Sequence, residues 1–197
     1  MDMVSPSAAR IAAAARELLV AEGSSAVTMR RVAAAVGLTP MSIYRHFPNR
    51  EALLGALADE SCAALEEEWG EREWPSEPEA YQREFDSMLA KYLDFAVGQP
   101  NVYSLLFIEK REGVRQFPED FRAGTSATLT ALADALSAGM KAGIFREDDV
   151  WELAIAISAL LHGLVQLRVG NRLALGEKEF RELCRVSVGR VLDGIRC

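Results

Sequence analysis

The sequence predicts an all-α protein, and three observations carry that prediction. Segment after segment places apolar residues three and four positions apart, as on one face of a helix. Glycine or proline ends most of these segments, and residues able to cap a helix begin several of them. Near the N-terminus, two short helical segments joined by a glycine have the pattern of a helix-turn-helix. We therefore expect an N-terminal three-helix domain, residues 1–50, and a C-terminal helical domain, residues 51–197.

The first helix is predicted between Ser5-Pro6, which offers a cap and a first-turn proline, and a stop at Gly23. Its apolar residues fall at i, i+3, i+4, i+7 and i+8, beginning at Ile11 and ending at Leu19. A helix with a single apolar stripe packs that stripe against its neighbours. We expect this helix to support the other two helices of the N-terminal domain.

The second and third helices are both short. Thr28 has the side chain of an N-cap, and the helix after it is predicted to end at Gly37, which can take a positive φ at no steric cost. Thr39-Pro40 supplies a cap and a first-turn proline for the third helix. That helix is predicted to run to about His46, because Pro48 forces the preceding residue out of helical geometry. Asn49 then caps a fourth helix.

The second helix of a helix-turn-helix can lie in the DNA major groove, and the side chains here suit that role. Ile43 and Phe47, four residues apart, can dock the short helix on its neighbours. The remaining side chains are left to project outward and are rich in hydrogen-bonding groups: Thr39, Met41, Ser42, Tyr44, Arg45 and His46. Thr28 and its helix N-terminus suit one phosphate. Arg30 or Arg31 suits another, although both arginines are equally compatible with a solvated surface.

The stretch GLTPMSIYRHFPNREALL resembles the recognition-helix signature of TetR-type transcriptional repressors. The resemblance covers about residues 7–55 and implies an all-α homodimer whose three N-terminal helices bind operator DNA. It also implies a body that binds a small-molecule inducer; most members are repressors, and some are activators. Tyr44, His46 and Arg50 resemble the family's phosphate-contact positions, and Pro40 belongs to the same contact segment.

The net charge of −7 is unevenly distributed along the chain. Residues 1–56 hold six arginines against four acidic residues, whereas the remainder holds sixteen basic and twenty-five acidic residues. An acidic body that repels phosphate can help to orient a basic N-terminal domain on DNA. The same asymmetry is also compatible with ordinary charged helical surfaces, so the motif decides between the two interpretations.

Longer helices follow the N-terminal domain. They are predicted from Asn49 to Trp69, from Tyr81 to Gly98, from Pro100 to Phe107, and from Pro118 to about Ala142. The first of these shares one apolar stripe with both domains, so a ligand bound near its C-terminal half can tilt it and displace the recognition helix. Large aromatic residues and methionines along these helices suit either a packed core or an adaptable apolar pocket. The candidate pocket residues are Trp69, Met88, Tyr92, Tyr103 and Phe107.

The last two helices suggest a second subunit. The segment from Trp151 to Leu167 is apolar on nearly every side, whereas the stripe from Phe180 to Ile195 is one-sided. An all-round apolar helix needs two surfaces to pack against, so we expect a four-helix dimer interface. Its candidate residues are Leu160, Leu164, Val188 and Val191. The segment SALLHGLVQL before a final amphipathic helix resembles a subgroup of the same family whose regulatory domain has a Trp-His-Gly signature.

His162 is the one histidine outside the N-terminal domain and falls in line with Ser158 and Gln166. This line can be an interface network, a ligand contact or, least simply, a general base. The chain contains no phosphate-binding glycine loop, hydrolase motif or metal motif, so we expect no enzyme activity, cofactor or metal. Cys62, Cys184 and Cys197 are interpreted as ordinary thiols.

Without eighteen consecutive apolar residues or a signal-like N-terminus, the protein is expected in the cytoplasm, with no membrane partner. Two other functions stay open at this point. One is a helical enzyme that keeps a vestigial N-terminal domain, and the other is a dimeric DNA-binding protein without a ligand.

Overall fold

The computed structural model describes residues 6–69, 72–111 and 113–197. Within these ranges the chain forms ten α-helices, one short 3-10 helix at Ser24–Ala26, and an isolated bridge between Phe145 and Arg196. The prediction of an all-α protein is confirmed. The helices are α1 Pro6–Glu22, α2 Met29–Val36, α3 Pro40–Tyr44, α4 Arg50–Trp69, α5 Pro78–Gly98, α6 Pro100–Phe107, α7 Glu119–Arg122, α8 Ala127–Lys141, α9 Val150–Val169 and α10 Glu177–Asp193.

Most helices begin and end close to the capping residues, glycines and prolines from which their ends were predicted. Asn49 Oδ1 accepts a hydrogen bond from the backbone N–H of Ala52 at 2.7 Å, so it caps α4 as expected. Asp149 caps α9 in the same way, because its Oδ1 accepts from the N–H groups of Trp151 and Glu152. The predicted cap of α1, Ser5, lies outside the described residues.

The helices divide into two compact units. The first contains residues 1–64 and 99–114, and the second contains residues 65–98 and 115–197. Helix α4 therefore contributes to both units, whereas α6 joins the first. Compactness does not test which residues bind DNA, so the functional boundary after residue 50 stays a prediction.

The first unit packs α1 against α2 and α6. Its core consists of fully buried aliphatic side chains, including Ile11, Leu19 and Ile43. A hydrogen bond fixes α6 to α1, because Asn101 Nδ2 donates to the carbonyl of Val20 at 3.0 Å. The N-terminal helices thus have the rigid support that a binding surface needs.

The second unit is built on the packing of α8, α9 and α10, with α5 against α10. Tyr81 lies in its core at 1% exposure and donates a hydrogen bond to the carbonyl of Ala135 at 2.7 Å. Its ring meets that of Phe145 edge to face, with centroids 5.5 Å apart. Gly139 makes this approach possible, since a Cβ there lies only 2.5 Å from the Phe145 ring.

One predicted helix is two helices in the structure. The sequence predicted a continuous helix from Pro118 to about Ala142, but the chain forms α7 and α8 with a break between them. Gly124 lies in this break with a φ of 72°, a left-handed conformation that a helix cannot contain. The prediction failed because Gly124 ends α7, whereas the apolar stripe that we followed begins at Leu129 in α8.

Candidate nucleic-acid interface and ligand cavity

The turn between α2 and α3 is held by local hydrogen bonds. Thr28 Oγ1 accepts from the N–H of Arg31 at 3.2 Å, which caps α2. Gly37 takes the left-handed conformation at a φ of 69°, and Leu38 N–H bonds to the carbonyl of Ala33 at 2.9 Å. Each of these features follows from the sequence pattern, so the two short helices are fixed by residues within the motif itself.

Helix α3 presents nearly all of its side chains outward. Ile43 is fully buried and anchors it, whereas Met41 is 70% exposed and Tyr44 is 46% exposed. The other exposed members of the predicted contact set are Thr39, Pro40, Arg45 and His46. Ser42 is half-buried, with its hydroxyl 3.0 Å from Thr39 Oγ1. The predicted contact residues therefore share one accessible polar and aromatic surface, which we call the α3 surface.

The two arginines of α2 differ. Arg31 forms a two-pronged ion pair with Glu22, with N–O distances of 2.9 and 2.6 Å. The hydrogen bond from Arg31 lowers the pKa of Glu22 and keeps that carboxylate charged. Arg30 is exposed on the same helix. Of the two, Arg30 is therefore the better candidate for a phosphate contact, because the charge of Arg31 is already matched.

Arg50 makes two hydrogen bonds that the sequence did not predict. Its Nε donates to the carbonyl of Val27 at 2.9 Å, and its Nη2 donates to the carbonyl of Ser24 at 2.7 Å. This guanidinium ties the first residue of α4 to the segment that leads into α2. We therefore interpret Arg50 as a residue that positions the α2 N-terminus, and its phosphate contact stays a prediction.

A small cavity of about 30 Å³ lies within the second unit. Three of the predicted ligand residues, Trp69, Met88 and Tyr92, line it. The other lining residues are Phe85, Leu89, Thr128, Leu132, Ile157, Ser158, Leu161 and Val188. None of these described lining residues is charged, so the cavity suits an apolar body with few polar groups.

Two predicted ligand residues lie elsewhere. Tyr103 and Phe107 belong to α6 in the first unit, where their rings pack against each other with centroids 5.1 Å apart. Tyr103 is only 2% exposed. Neither residue lines the described cavity; Tyr103 is buried and Phe107 is half-buried, so a ligand contact by either stays a prediction. Two lining residues on α9, Ile157 and Leu161, were not predicted from the sequence. They follow Ala154 at helical spacing, but spacing alone does not distinguish a residue that lines a cavity from one in a packed core.

His162 is adjacent to the cavity through Tyr92. Its Nδ1 lies 3.2 Å from the Tyr92 hydroxyl, and Tyr92 in turn lines the cavity. Burial lowers the pKa of His162 to about 4, so the imidazole is neutral at pH 7. The predicted polar line divides, because Ser158 lines the cavity and Gln166 is exposed. The structure thus places His162 behind a cavity residue, where it orients the Tyr92 hydroxyl.

Among the remaining reactive groups is the thiol of Cys184. Cys184 is buried, and this burial raises the pKa of its thiol to about 11, which makes it inert. Among the described residues, no group of three or more His, Cys, Asp and Glu side chains could hold a metal ion.

The outer face of α9 is apolar. Its buried residues, including Ala154 and Val165, face inward, whereas Leu160 and Leu164 are half-buried and Leu167 is 39% exposed. Helix α9 is long and apolar enough to cross a membrane by length and composition alone, a test that helices of soluble proteins also pass. Only 22% of an 18-residue window in it is buried within the described chain.

The predicted interface residues on α10 separate in the structure. Val191 is half-buried, but Val188 is 1% exposed and lines the cavity. The prediction that Val188 faces a partner is therefore corrected: the one-sided stripe of α10 packs inside the unit.

Two family models match the chain. The model for bacterial regulatory proteins of the tetR family matches residues 11–57, and the model for the tetracyclin repressor-like C-terminal domain matches residues 85–191. The first match contains α2 and α3, and the second contains nearly all of the cavity residues. A comparison with curated proteins found no match.

Several solved structures share the fold. A bacterial regulatory protein in the tetR family from Rhodococcus RHA1 is 24% identical, with a TM-score of 0.66 over 98% of each chain. The transcriptional regulator FadR from Bacillus subtilis, in complex with stearoyl-CoA, is 20% identical, with a TM-score of 0.68 over 95% of this chain and 99% of that chain. SmeT, the repressor of the Stenotrophomonas maltophilia multidrug efflux pump SmeDEF, is 16% identical, with a TM-score of 0.68 over 98% of this chain and 92% of that chain.

Proposed function

The chain belongs to the tetR family of bacterial regulatory proteins, and we propose from this membership that it is a homodimeric repressor released from a palindromic operator by a small apolar or aromatic effector. The observation that carries the proposal is the α3 surface. A five-residue helix that buries only Ile43 has no structural need for so many outward polar and aromatic groups. Those groups are what a helix in a major groove uses.

Within this proposal the contacts divide by role. Thr28 and the N-terminus of α2, Arg30, Tyr44 and His46 contact phosphates, which fix the register of the protein on the duplex. Ser42 and Arg45 reach base edges, with Thr39, Pro40 and Met41 completing the surface. Arg50 acts through the backbone carbonyls that it holds at Val27 and Ser24.

Operator binding tests the α3 surface. An operator is first selected from a random duplex library with the wild-type protein, and each variant is then titrated against that operator and a scrambled duplex. We expect Tyr44→Phe to weaken binding to both duplexes by a similar factor, because a phosphate contact carries no sequence information. We expect Arg45→Ala to weaken operator binding by about 1–3 kcal/mol and to leave scrambled-duplex binding nearly unchanged.

The matched control is Arg146→Ala, an exposed arginine of the second unit that should bind as the wild type does. If Arg45→Ala loses affinity equally on both duplexes, Arg45 does not read bases. If it changes neither, Arg45 is not a contact.

The proposed homodimer uses the outer face of α9 with Val191 of α10. That face is continuous and apolar, and a second copy would cover it on both chains at once, as a two-fold interface does. Dimerisation would place two α3 surfaces about 34–36 Å apart, the spacing of successive major grooves on one side of a palindrome.

Sedimentation at micromolar concentration tests the dimer. We expect the wild type to be a dimer and Leu160→Glu or Leu164→Glu to be a folded monomer that no longer retains the operator, because each buries a charge in an apolar interface. Val114→Glu places the same change at an exposed loop position and should stay dimeric. A monomeric wild type rules out this assembly.

The cavity supports the ligand response. Its uncharged, partly aromatic lining favours an apolar or aromatic effector. Helix α4, which supplies Trp69 to the cavity, begins at Arg50, so a ligand that displaces its end acts on the binding domain through one continuous helix. A thermal-shift screen of neutral aromatic compounds, followed by operator release, distinguishes this function from a ligand-free DNA-binding protein.

The remaining properties follow from the family. We propose a soluble protein of the cytoplasm without membrane partner or enzymatic activity. Expression of a reporter gene placed behind the selected operator decides between repression and activation, because a repressor lowers that expression and an activator raises it.

A further inference from the structure

The indole of Trp69 has a hydrogen-bonding group without a partner. Trp69 is 5% exposed and lines the cavity, and its Nε1 is buried with no hydrogen-bond acceptor within reach. Thr130 Oγ1 is the other such atom recorded among the described side chains. A hydroxyl can rotate to find a partner, whereas an indole N–H is a fixed donor only. Leaving such a buried group unpaired is unfavourable, so a cavity residue with an unpaired donor favours a ligand that supplies the acceptor.

The rest of the lining restricts what that acceptor can be. No described lining residue carries a positive charge, so an anionic ligand would lose its hydration without a counter-charge. His162, the titratable group next to the cavity, is neutral at pH 7 and is engaged with the Tyr92 hydroxyl. A neutral oxygen acceptor, such as a ketone carbonyl, satisfies the indole without that cost.

We propose that the cavity, opened by movement of its lining side chains, binds a neutral, mainly aromatic molecule whose carbonyl-type oxygen accepts a hydrogen bond from Trp69 Nε1. The aromatic body contacts the side chains around it, including Phe85, Met88 and Leu132. Tyr92 meets the Trp69 ring edge to face, with centroids 6.3 Å apart, and so helps to fix the indole that carries the donor. This inference rests on the proposed effector response and names its ligand class.

Three compounds of one shape test the proposal. They are 2-acetylnaphthalene, its hydrocarbon isostere 2-isopropenylnaphthalene, and the anion 2-naphthoate. Calorimetric titration of the full chain should show the ketone binding about 3- to 10-fold more tightly than the hydrocarbon, because only the ketone pairs with the indole. The anion should bind at least about 10-fold more weakly than the ketone.

Two variants locate the donor. Trp69→Phe keeps an aromatic ring but removes the N–H, so the preference for the ketone over the hydrocarbon should fall to about one or below. Trp151→Phe makes the same exchange in the first turn of α9, outside the described lining, and should keep the wild-type preference. The ratio of ketone affinity to hydrocarbon affinity is compared within each variant, so a general loss of ligand affinity or of folded protein does not change it.

The indole proton gives an independent measurement. In a ¹⁵N-labelled sample, the indole cross-peak lost in Trp69→Phe should move downfield when the ketone binds and move less with the hydrocarbon. Three outcomes each overturn the assignment. They are equal affinities of the wild type for the ketone and the hydrocarbon, a Trp69 indole cross-peak that does not move, and binding of none of the three compounds. An upfield indole proton unaffected by the ketone would assign the N–H to the face of the Tyr92 ring, which also overturns it.

These measurements are separate from those for operator binding. A ketone preference that depends on Trp69 in a protein that binds no operator supports this ligand class and refutes the proposed repressor. Operator binding that responds to an effector, without a preference for the ketone, supports the proposed repressor and refutes this ligand class.

Discussion

At the scale of single residues, side-chain partners decide the roles that residue type leaves open. Arg31 and Arg50 are both arginines of the DNA-binding segment, yet one is paired with Glu22 and the other holds the carbonyls of Val27 and Ser24. A sequence identifies the donor but cannot show which acceptor the fold brings near it. Arg30, Tyr44 and Arg45 are exposed, so their contacts with DNA stay predictions.

His162 provides a pH-dependent stability at this scale. Its pKa is about 4 in the folded chain and about 6.5 when unfolded, so the unfolded state binds the proton first as pH falls. The stability contributed by the neutral imidazole is complete above about pH 6.5 and decreases toward pH 4, by about 2 to 3 kcal/mol at pH 4.5. Urea unfolding of wild type and His162→Gln from pH 7.5 to 4.5 measures it.

Glutamine keeps a hydrogen-bonding group near the Tyr92 hydroxyl but does not titrate in this range. The wild type should therefore lose more stability than the variant across this interval. Parallel curves for the two proteins would show that His162 has the same proton affinity in the folded and unfolded chains.

At the scale of helices, Gly139 sets how closely α8 packs on its neighbours. A Cβ at this position lies 2.5 and 2.6 Å from two ring atoms of Phe145 and 3.0 Å from the Tyr81 hydroxyl. We expect Gly139→Ala to lower the free energy of unfolding by about 1–3 kcal/mol, because this packed core must shift to accept a methyl group.

Gly55→Ala is the matched control for this change. Gly55 lies within α4, and a Cβ there has no atom within 4 Å. Alanine should be neutral or stabilise by up to about 1 kcal/mol, since it favours helix more than glycine does. Equal effects of the two substitutions in chemical denaturation would mean that the Phe145 contact does not limit packing.

The helices also show how far a sequence can be interpreted. Caps at Thr28, Thr39 and Asn49 and the turn at Gly37 were predictable, because each depends on atoms within a few residues. The break at Gly124 was missed, since a glycine after a proline and before a strong stripe does not by itself show where a helix restarts. Local chemistry determines helix ends more reliably than helix continuity.

The cavity was only partly predictable for a related reason. Trp69, Met88 and Tyr92 line it, whereas Tyr103 and Phe107 do not, although all five are large side chains on apolar stripes. Periodicity shows which face of a helix is buried, but it cannot show against which partner. Val188 illustrates the same limit, because its stripe faces the cavity and not a second chain.

At the scale of the whole molecule, ligand and DNA binding should be linked. If effector and operator favour different arrangements of one protein, each must weaken the other by the same factor. For typical coupling of about 1–3 kcal/mol that factor is about 5 to 150. Calorimetric titration of any effector found by screening, with and without saturating operator, measures one side, and operator titration with and without effector measures the other.

A scrambled duplex at the same concentration is the control, because it supplies phosphate charge without the specific site. Equal effector affinities in the presence and absence of the operator would refute allosteric induction, even for a compound that occupies the cavity.

Helix α4 determines how large a motion such linkage requires. It has twenty residues, with Arg50 at one end and Trp69 at the other, and at about 1.5 Å per residue it is about 30 Å long. A rod of that length that rotates by about 4° about its middle moves each end by about 1 Å. Base-edge hydrogen bonds tolerate only about 0.5 Å of change in distance. Under the proposed ligand response, a shift of about 1 Å at Trp69 is therefore enough to break base-edge contacts near the other end of the helix. The proposed repressor can then respond without unfolding any helix.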